Sequence, residues 1–257
     1  EQLTSHKQML EYGILKPYSI IFGFSTTRHG GCGEGAYATF NCTHYCEDNP
    51  EHVKANLETL SLLLPERPRV IVIPRQTHTT NVQVIKDVPT PEELQDVDAV
   101  VTQLKDFCLC VSTADCVPIL LYDKEKEVIA AVHAGWRGTV GRIVEKTIEV
   151  MKSHYGSEGK DLVACIGPSI SLESFEVGDE VYAAFAEAGF EMSCIARKYE
   201  KWHLDLWEAN RLQLLAHGVL PEHIEVAGIC TYQNYEEFFS ARRLGIKSGR
   251  ILSGIMI

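Results

Sequence analysis

The sequence predicts an α/β protein folded as one domain, and three observations carry that reading. The first is a hairpin: residues 112–139 hold two apolar runs, VPILLY and VIAAV, on either side of the charged turn DKEK. Runs of this length, rich in Val, Ile and Leu, read as paired strands. The second is alternation, since further strand-like runs on both sides of the hairpin are separated by segments whose apolar residues recur at the helical period. The third is continuity. No low-complexity linker or internal repeat divides the chain, so residues 1–257 read as a single domain.

In chain order, residues 18–24 form the first predicted strand, followed by a glycine-bearing loop over 30–35. That loop lacks the helical apolar period a dinucleotide-binding turn should open, so it reads as a flexible loop near a ligand, with Arg28 available for an anion. Asn49, Pro50 and Glu51 supply a cap, a first-turn proline and a carboxylate, which start a helix that runs to about 64 and stops at Pro65. A strand over 69–73 leads to His78 on a strand-to-strand connection. Residues 87–97 are turn-like and acidic, and 98–102 and 107–113 are strands in which Cys108 and Cys110 alternate with apolar neighbours as buried packing.

After the hairpin, Thr139 caps a helix whose apolar positions are Val140, Ile143, Val144, Thr147, Ile148 and Met151. A helix start behind a glycine turn is a natural anion site, and Arg137 adds a planar donor fork suited to phosphate. The remainder alternates again: a strand over 161–166, a helix over 178–188, and a helix that ends at His217 and Gly218. A strand over 224–230, a helical segment over 236–243 and a buried strand over 250–257 complete the chain.

The formal charge of −11 argues against general affinity for nucleic acid or anionic membrane, both of which need a basic surface. Nine cysteines without CxxC pairs read as reduced thiols of a cytoplasmic protein, and no run reaches the length of a membrane span. The opening residues show no signal-peptide pattern.

Chemistry gathers on the hairpin. With a two-residue loop of Lys124 and Glu125, partner numbers sum to 249, as those of Cys116 and His133 do, so the two side chains lie opposite each other. Opposed residues share a face with Cβ atoms about 4.5–5.5 Å apart. Pro118 belongs at an edge or a bulge. Such a pair suits a metal ion or a thiol–imidazole couple, and each residue taken singly also fits a plain packing or hydrogen-bonding role. Cys and His are sensible zinc ligands, and three protein ligands leave the open position of a catalytic site. The separations of His78, Cys116 and His133 match no compact zinc finger, and neither an HExxH helix nor the HxE and PCxxC deaminase signature is present. Without zinc, Cys116 and His133 could form a nucleophile–base pair.

The segments QTH (76–78), STADC (112–116) and HAGWRG (133–138) resemble the three signatures of the YfiH-like, or laccase-domain, family. Supporting matches are TTRHGG (26–31), EDNPEHV (47–53), IGPSI (166–170), FEVG (175–178) and CTY (230–232), so the resemblance covers nearly the whole chain. Two departures stand out: Thr79 follows the first histidine where glycine is usual, and SARR (240–243) replaces a more aromatic version. The resemblance implies an α/β fold of the α+β type, with antiparallel sheets enclosed by helices, related to a group of cysteine hydrolases. It implies zinc held by His78, Cys116 and His133 as the catalytic centre. It also implies a purine nucleoside phosphorylase acting on adenosine, inosine and methylthioadenosine, with adenosine deaminase activity. An older label for the family is copper-dependent polyphenol oxidase.

Ten histidines without paired HxH motifs do not suit several coppers, and one N₂S site suits redox-inert zinc, with copper as an adventitious occupant. The expected partners are purine nucleosides and phosphate, the phosphate near Arg137 and Arg28. The competing reading is a thiol hydrolase acting on an amide such as a peptidoglycan precursor.

Overall fold

The computed structural model describes residues 7–257; residues 1–6, which the sequence assigns to the same domain, lie outside the described residues. In chain order the elements begin with β1 (Met9–Glu11), β2 (Phe22–Thr26), α1 (Pro50–Leu63), β3 (Val70–Val72), β4 (Val82–Val84), β5 (Ala99–Thr102) and β6 (Phe107–Thr113). The hairpin strands β7 (Val117–Asp123) and β8 (Val128–Ala134) follow, then α2 (Trp136–Val140), α3 (Ile143–Tyr155), β9 (Leu162–Ile166), β10 (Glu176–Val177) and α4 (Asp179–Glu187). The last third adds α5 (Met192–Ile195), β11 (Ala196–Lys198), β12 (Trp202–Leu204), α6 (Leu206–Ala216), β13 (Ile224–Val226), α7 (Ala241–Leu244) and β14 (Ile251–Met256).

Two large sheets stack face to face. One has the order β1-β2-β14-β6-β3 and the other β13-β9-β7-β8-β5-β4; a small sheet, β10-β12-β11, stands apart. Strand alternation sorts the side chains into layers. From β7 and β8, Leu120, Tyr122, Ile129 and Ala131 meet Leu109 and Val111 of β6 between the sheets. Ile119, Leu121, Ala130 and Val132 face the other way, onto Ile143, Val144, Ile148 and Met151 of α3. On the outer face of the first sheet, Cys108 and Cys110 pack with Leu60 of α1. The result is helix, sheet, sheet, helix. The sheets are mixed rather than antiparallel, because β3–β6, β4–β5 and β9–β13 pair in parallel.

The hairpin forms, but its register differs from the predicted one. Pairs run from Val117↔Ala134 to Asp123↔Val128, so partner numbers sum to 251 and the loop has four residues. The reason is Asp123, whose Oδ1 accepts from the backbone N–H groups of Glu125 and Lys126, while Glu127 takes a left-handed φ of 52°. His133 therefore opposes Pro118, not Cys116. The shift is two residues, and side chains alternate with period two, so Cys116 keeps the face of His133 and sits diagonal to it. Pro118 lies in an inner strand, contrary to the edge rule. It accepts from Gly167 N at 2.9 Å but has no N–H to return, and Ser169 Oγ donates to the Gly167 carbonyl instead, at 3.0 Å.

The helix predicted from Thr139 is two helices. Thr139 lies inside α2, buried, and accepts from Asn210 Nδ2, while Arg142 at φ 66° breaks the chain before α3. Of the segment over 236–243, only the end is helical, in α7, because Phe238 and Phe239 turn into a small core with Ile251.

Candidate metal centre

Both large sheets end at the same place, where β6 and β8 finish and β7 begins. Cys116 precedes β7, held by Asp115 at a left-handed φ of 89°. The Asp115 carboxylate accepts from Thr231 Oγ1 and from Arg242 N, each at 2.7 Å, which pins this otherwise unfavourable conformation. His133 is the next-to-last residue of β8 and is buried; His78 approaches from the β3–β4 connection and is exposed. The ligand atoms of His78, Cys116 and His133 all lie within 4.8 Å of one another. Cys116 Sγ stands 3.8 Å from His78 Nε2.

Close approach depends on Gly135. A Cβ there would stand 2.9 Å from His78 Cδ2 and 3.1 Å from Cys116 Sγ, so any larger residue drives the side chains apart.

Asp98, fully buried just before β5, organises the centre. Its Oδ2 takes His133 Nδ1 at 2.7 Å and His78 N at 3.1 Å; its Oδ1 takes Thr77 N at 3.2 Å, Thr79 N at 2.9 Å and Thr79 Oγ1 at 2.7 Å. Five donors on one carboxylate fold the loop back on itself and hold His78 at a left-handed φ of 63°. Thr79, the departure from the usual glycine, contributes a hydroxyl bond that glycine lacks. Gln76 completes the clamp: its amide donates to Ser112 O and accepts from Ser112 N, both at 2.7 Å, tying the loop to β6.

The charges follow from this packing. Burial pushes the Cys116 thiol up, but the charge and hydrogen bond of His133, with help from His78, outweigh it and bring the thiol down to about 6. Burial also works against the His133 cation, yet Cys116 and Asp98 raise it to about 9. Burial opposes the Asp98 carboxylate too, and the contacts from His133 and Thr79 bring it below its ordinary value. Without a metal the arrangement is a thiolate and an imidazolium anchored by a carboxylate. With Nδ1 engaged by Asp98, His133 aims Nε2 at the cluster.

The cavity beside this cluster measures about 290 Å³ and is bounded by Thr43, Tyr45, Gln76, Ser112, Ile246 and Arg250 among others. The two arginines read as phosphate ligands from the sequence do not line it. Arg28 donates from Nε to Ala38 O and from Nη1 to Tyr235 O and lies over Phe239, so it serves the loop it stands in. Arg137 is exposed and stacks on Trp136, outside the cavity lining. Sequence reading missed Tyr45 and Arg250. Arg250 opens a run that looks like a plain buried strand, and no local spacing links it to the motifs.

The profile of the family described as multi-copper polyphenol oxidoreductase laccase matches residues 22–257. The chain belongs to this family. A purine nucleoside phosphorylase of Bacteroides thetaiotaomicron is 56% identical over 265 residues, across 99% of this chain and 98% of the relative. A protein named adenosine deaminase RL5, from an unknown prokaryotic organism, is 42% identical across 91% of this chain and 93% of its own length. The crystal structure of the hypothetical protein YfiH of Bacillus licheniformis superposes with a TM-score of 0.91 at 26% identity, covering 98% of this chain and 97% of that one. The YfiH-type fold expected from the motifs is therefore the fold of this laccase-family member. Despite the multi-copper description, the described residues of this member gather one cluster of three or more potential metal-binding side chains. No helix among them is long and apolar enough to cross a membrane.

Proposed function

We propose that the protein is a zinc-dependent purine nucleoside phosphorylase. It splits adenosine, inosine or methylthioadenosine with phosphate into the base and the ribose 1-phosphate, and it deaminates adenosine as a side activity. The observation that carries this reading is the convergence of His78, Cys116 and His133 beside a cavity, in a chain whose relatives bear these two enzyme names. The nine free cysteines fit a reducing, cytoplasmic setting.

The donor set fits zinc. A tetrahedral zinc separates a thiolate sulfur from an imidazole nitrogen by about 3.5 Å, from bond lengths of roughly 2.3 and 2.0 Å, close to the 3.8 Å between Cys116 and His78. One soft N₂S set favours zinc over the several coppers an oxidase requires, so copper enters only as an adventitious occupant. Bound there, zinc supplies Lewis-acid chemistry in a sheltered pocket. The chain's own residues do the positioning. Asp98 keeps the His133 proton on Nδ1, Gln76 and Asp98 fix the loop of His78, and the sheet ends shield one side of the cavity from water. In the reaction a phosphate oxygen forms a bond to the anomeric carbon while the bond to the purine nitrogen breaks, with its electron pair leaving on the base.

Metal analysis followed by chromatography of inosine and adenosine, incubated with and without phosphate, tests the proposal. One zinc per chain and phosphate-dependent release of base are expected. Full turnover in His78→Ala, Cys116→Ala and His133→Ala would refute the site. A second reading rests on the Cys116, His133 and Asp98 series, which also has the geometry of a thiol hydrolase. It requires metal-free cleavage of an amide or ester that alkylation of Cys116 abolishes.

A further inference from the structure

The cavity wall beside the metal centre has a composition that the rest of the chain does not predict. The chain carries 35 acidic residues against 24 Lys and Arg, yet no Asp or Glu lines this cavity, and Arg250 is its one Lys or Arg. Arg250 directly precedes β14, in which Ile251 pairs with Thr113 of β6. Continued by one residue, that register sets it beside Ala114, two residues before Cys116. Its terminal nitrogens are held by the chain: Nη1 donates to Ser248 O at 2.6 Å and Gly249 O at 3.0 Å, with a longer contact of 3.5 Å to Ser248 Oγ, and Nη2 donates to Ile246 O at 2.9 Å. These acceptors are neutral. Among the described residues Arg250 forms no ion pair, and its Nε–H has no acceptor. The guanidinium is thus a fixed cation whose Nε–H is unspent, a charged donor that can grip an oxygen of a tetrahedral oxyanion.

Tyr45 is built the opposite way from most surface tyrosines, which bury the ring and wet the hydroxyl. Its hydroxyl is turned to the Ile73 carbonyl at 3.1 Å, while the residue stays 47% exposed at the cavity rim. The tether removes ring freedom and leaves an aromatic face available. Ile246, 78% exposed, lines the same cavity from another loop. Lys247 and Glu47, at 2.8 Å, tie that loop to the loop of Tyr45. A tethered aromatic face at a cavity that also holds a fixed cation suits a ligand with one flat ring and one anion.

We propose that the cavity receives its two substrates on these two preformed features, the purine ring on the face of Tyr45 and the phosphate on the Nε–H of Arg250. This rests on the phosphorolysis reading and adds to it which side chain holds which substrate. The test is a crossover in Michaelis constants with the zinc-loaded protein, inosine and inorganic phosphate. Base–aromatic stacking of roughly 1–3 kcal/mol corresponds to a 5- to 150-fold change. Tyr45→Leu is expected to raise KM for inosine about tenfold or more with KM for phosphate within about twofold, and Arg250→Gln to do the reverse. Tyr45→Phe, which keeps the ring, and Arg250→Lys, which keeps the charge, should each fall between their parent and the larger change. Zinc content and melting temperature of each variant separate misfolding from lost recognition. Calorimetry of inorganic phosphate alone and of hypoxanthine alone reads the same assignment without turnover, so it stands apart from the phosphorolysis reading, which fails if the parent protein splits no nucleoside. Both constants rising together in each variant, or phosphate binding that survives Arg250→Gln, would overturn the assignment.

Discussion

Asp98 concentrates more of the site than any ligand does, because it is bound to the backbone of one histidine and the side chain of the other. Replacing it with asparagine tests this by tautomer chemistry. The introduced amide would face Nδ1 of His133 and the N–H of His78 with an NH₂ group where both now find an acceptor. The imidazole would move its proton to Nε2, the atom needed for the metal. Loss of such a supporting partner costs about 10- to 100-fold in metal affinity, so Asp98→Asn should weaken zinc binding by that range in competition with a chromophoric chelator. Unchanged affinity would remove Asp98 from the site. A second expectation concerns charge. In metal-free protein the Cys116 thiol titrates at about 6 because the His133 cation favours the thiolate. Iodoacetamide labelling of Cys116 should therefore rise with pH around a midpoint of about 6 and level off only well above it. In His133→Ala the favourable cation is gone, so the midpoint should move up to the ordinary thiol range of about 8.5, read by peptide mass spectrometry.

The hairpin shows how far pattern alone reaches at the level of the element. Its two strands were legible as the apolar runs VPILLY and VIAAV; the shared face of Cys116 and His133 was read from a register that is two residues off, and it survives because side chains alternate with period two. The loop length was not legible, because it depends on one Asp123 oxygen collecting two backbone N–H groups, and nothing in the charge run distinguishes that turn from a tighter one. The helix after the hairpin was legible as an apolar stripe from Ile143 to Met151 but not as two pieces, since the break at Arg142 is stabilised by distant partners: its Nη2 reaches Ala188 O and its guanidinium lies over Phe190. Gly135, where β8 gives way to α2, carries the element-scale prediction. Its backbone φ of −70° suits any residue, so the requirement for glycine is space and not conformation. Gly135→Ala should displace His78 and Cys116 and sharply lower zinc stoichiometry by atomic emission, while the melting temperature of the metal-free protein changes by only a few degrees. A variant that binds zinc normally would show that the three ligands do not need this approach.

Seen as a whole, the molecule is two stacked sheets between helices, with the candidate metal-binding side chains gathered where the sheets end. Order along the chain predicted the mix of strands and helices and the short motifs of the centre, because these are local patterns. It could not show that β14, the last strand, lies between β2 and β6, which is what brings Arg250 to a cavity whose other walls come mostly from residues more than a hundred positions earlier. The same topology couples the centre to global stability. His78, Cys116 and His133 come from three separate stretches, one following a strand of the first sheet, one just before a strand of the second and one inside another strand of the second, so a metal that joins them binds the folded chain and not the unfolded one. Such binding stabilises by about 2.7 kcal/mol at a free metal concentration of 100 Kd, and a chain of this size gains roughly 2–4 °C per kcal/mol. Chelation should therefore lower the melting temperature by about 5–10 °C and abolish phosphate-dependent release of base, with zinc restoring both. In Cys116→Ala, which lacks the thiolate ligand, the parent and chelated curves should nearly coincide. A melting temperature indifferent to chelation in the parent protein, with turnover intact, would mean that the three side chains act without a metal and that the thiolate, imidazolium and carboxylate series is the working chemistry of this fold.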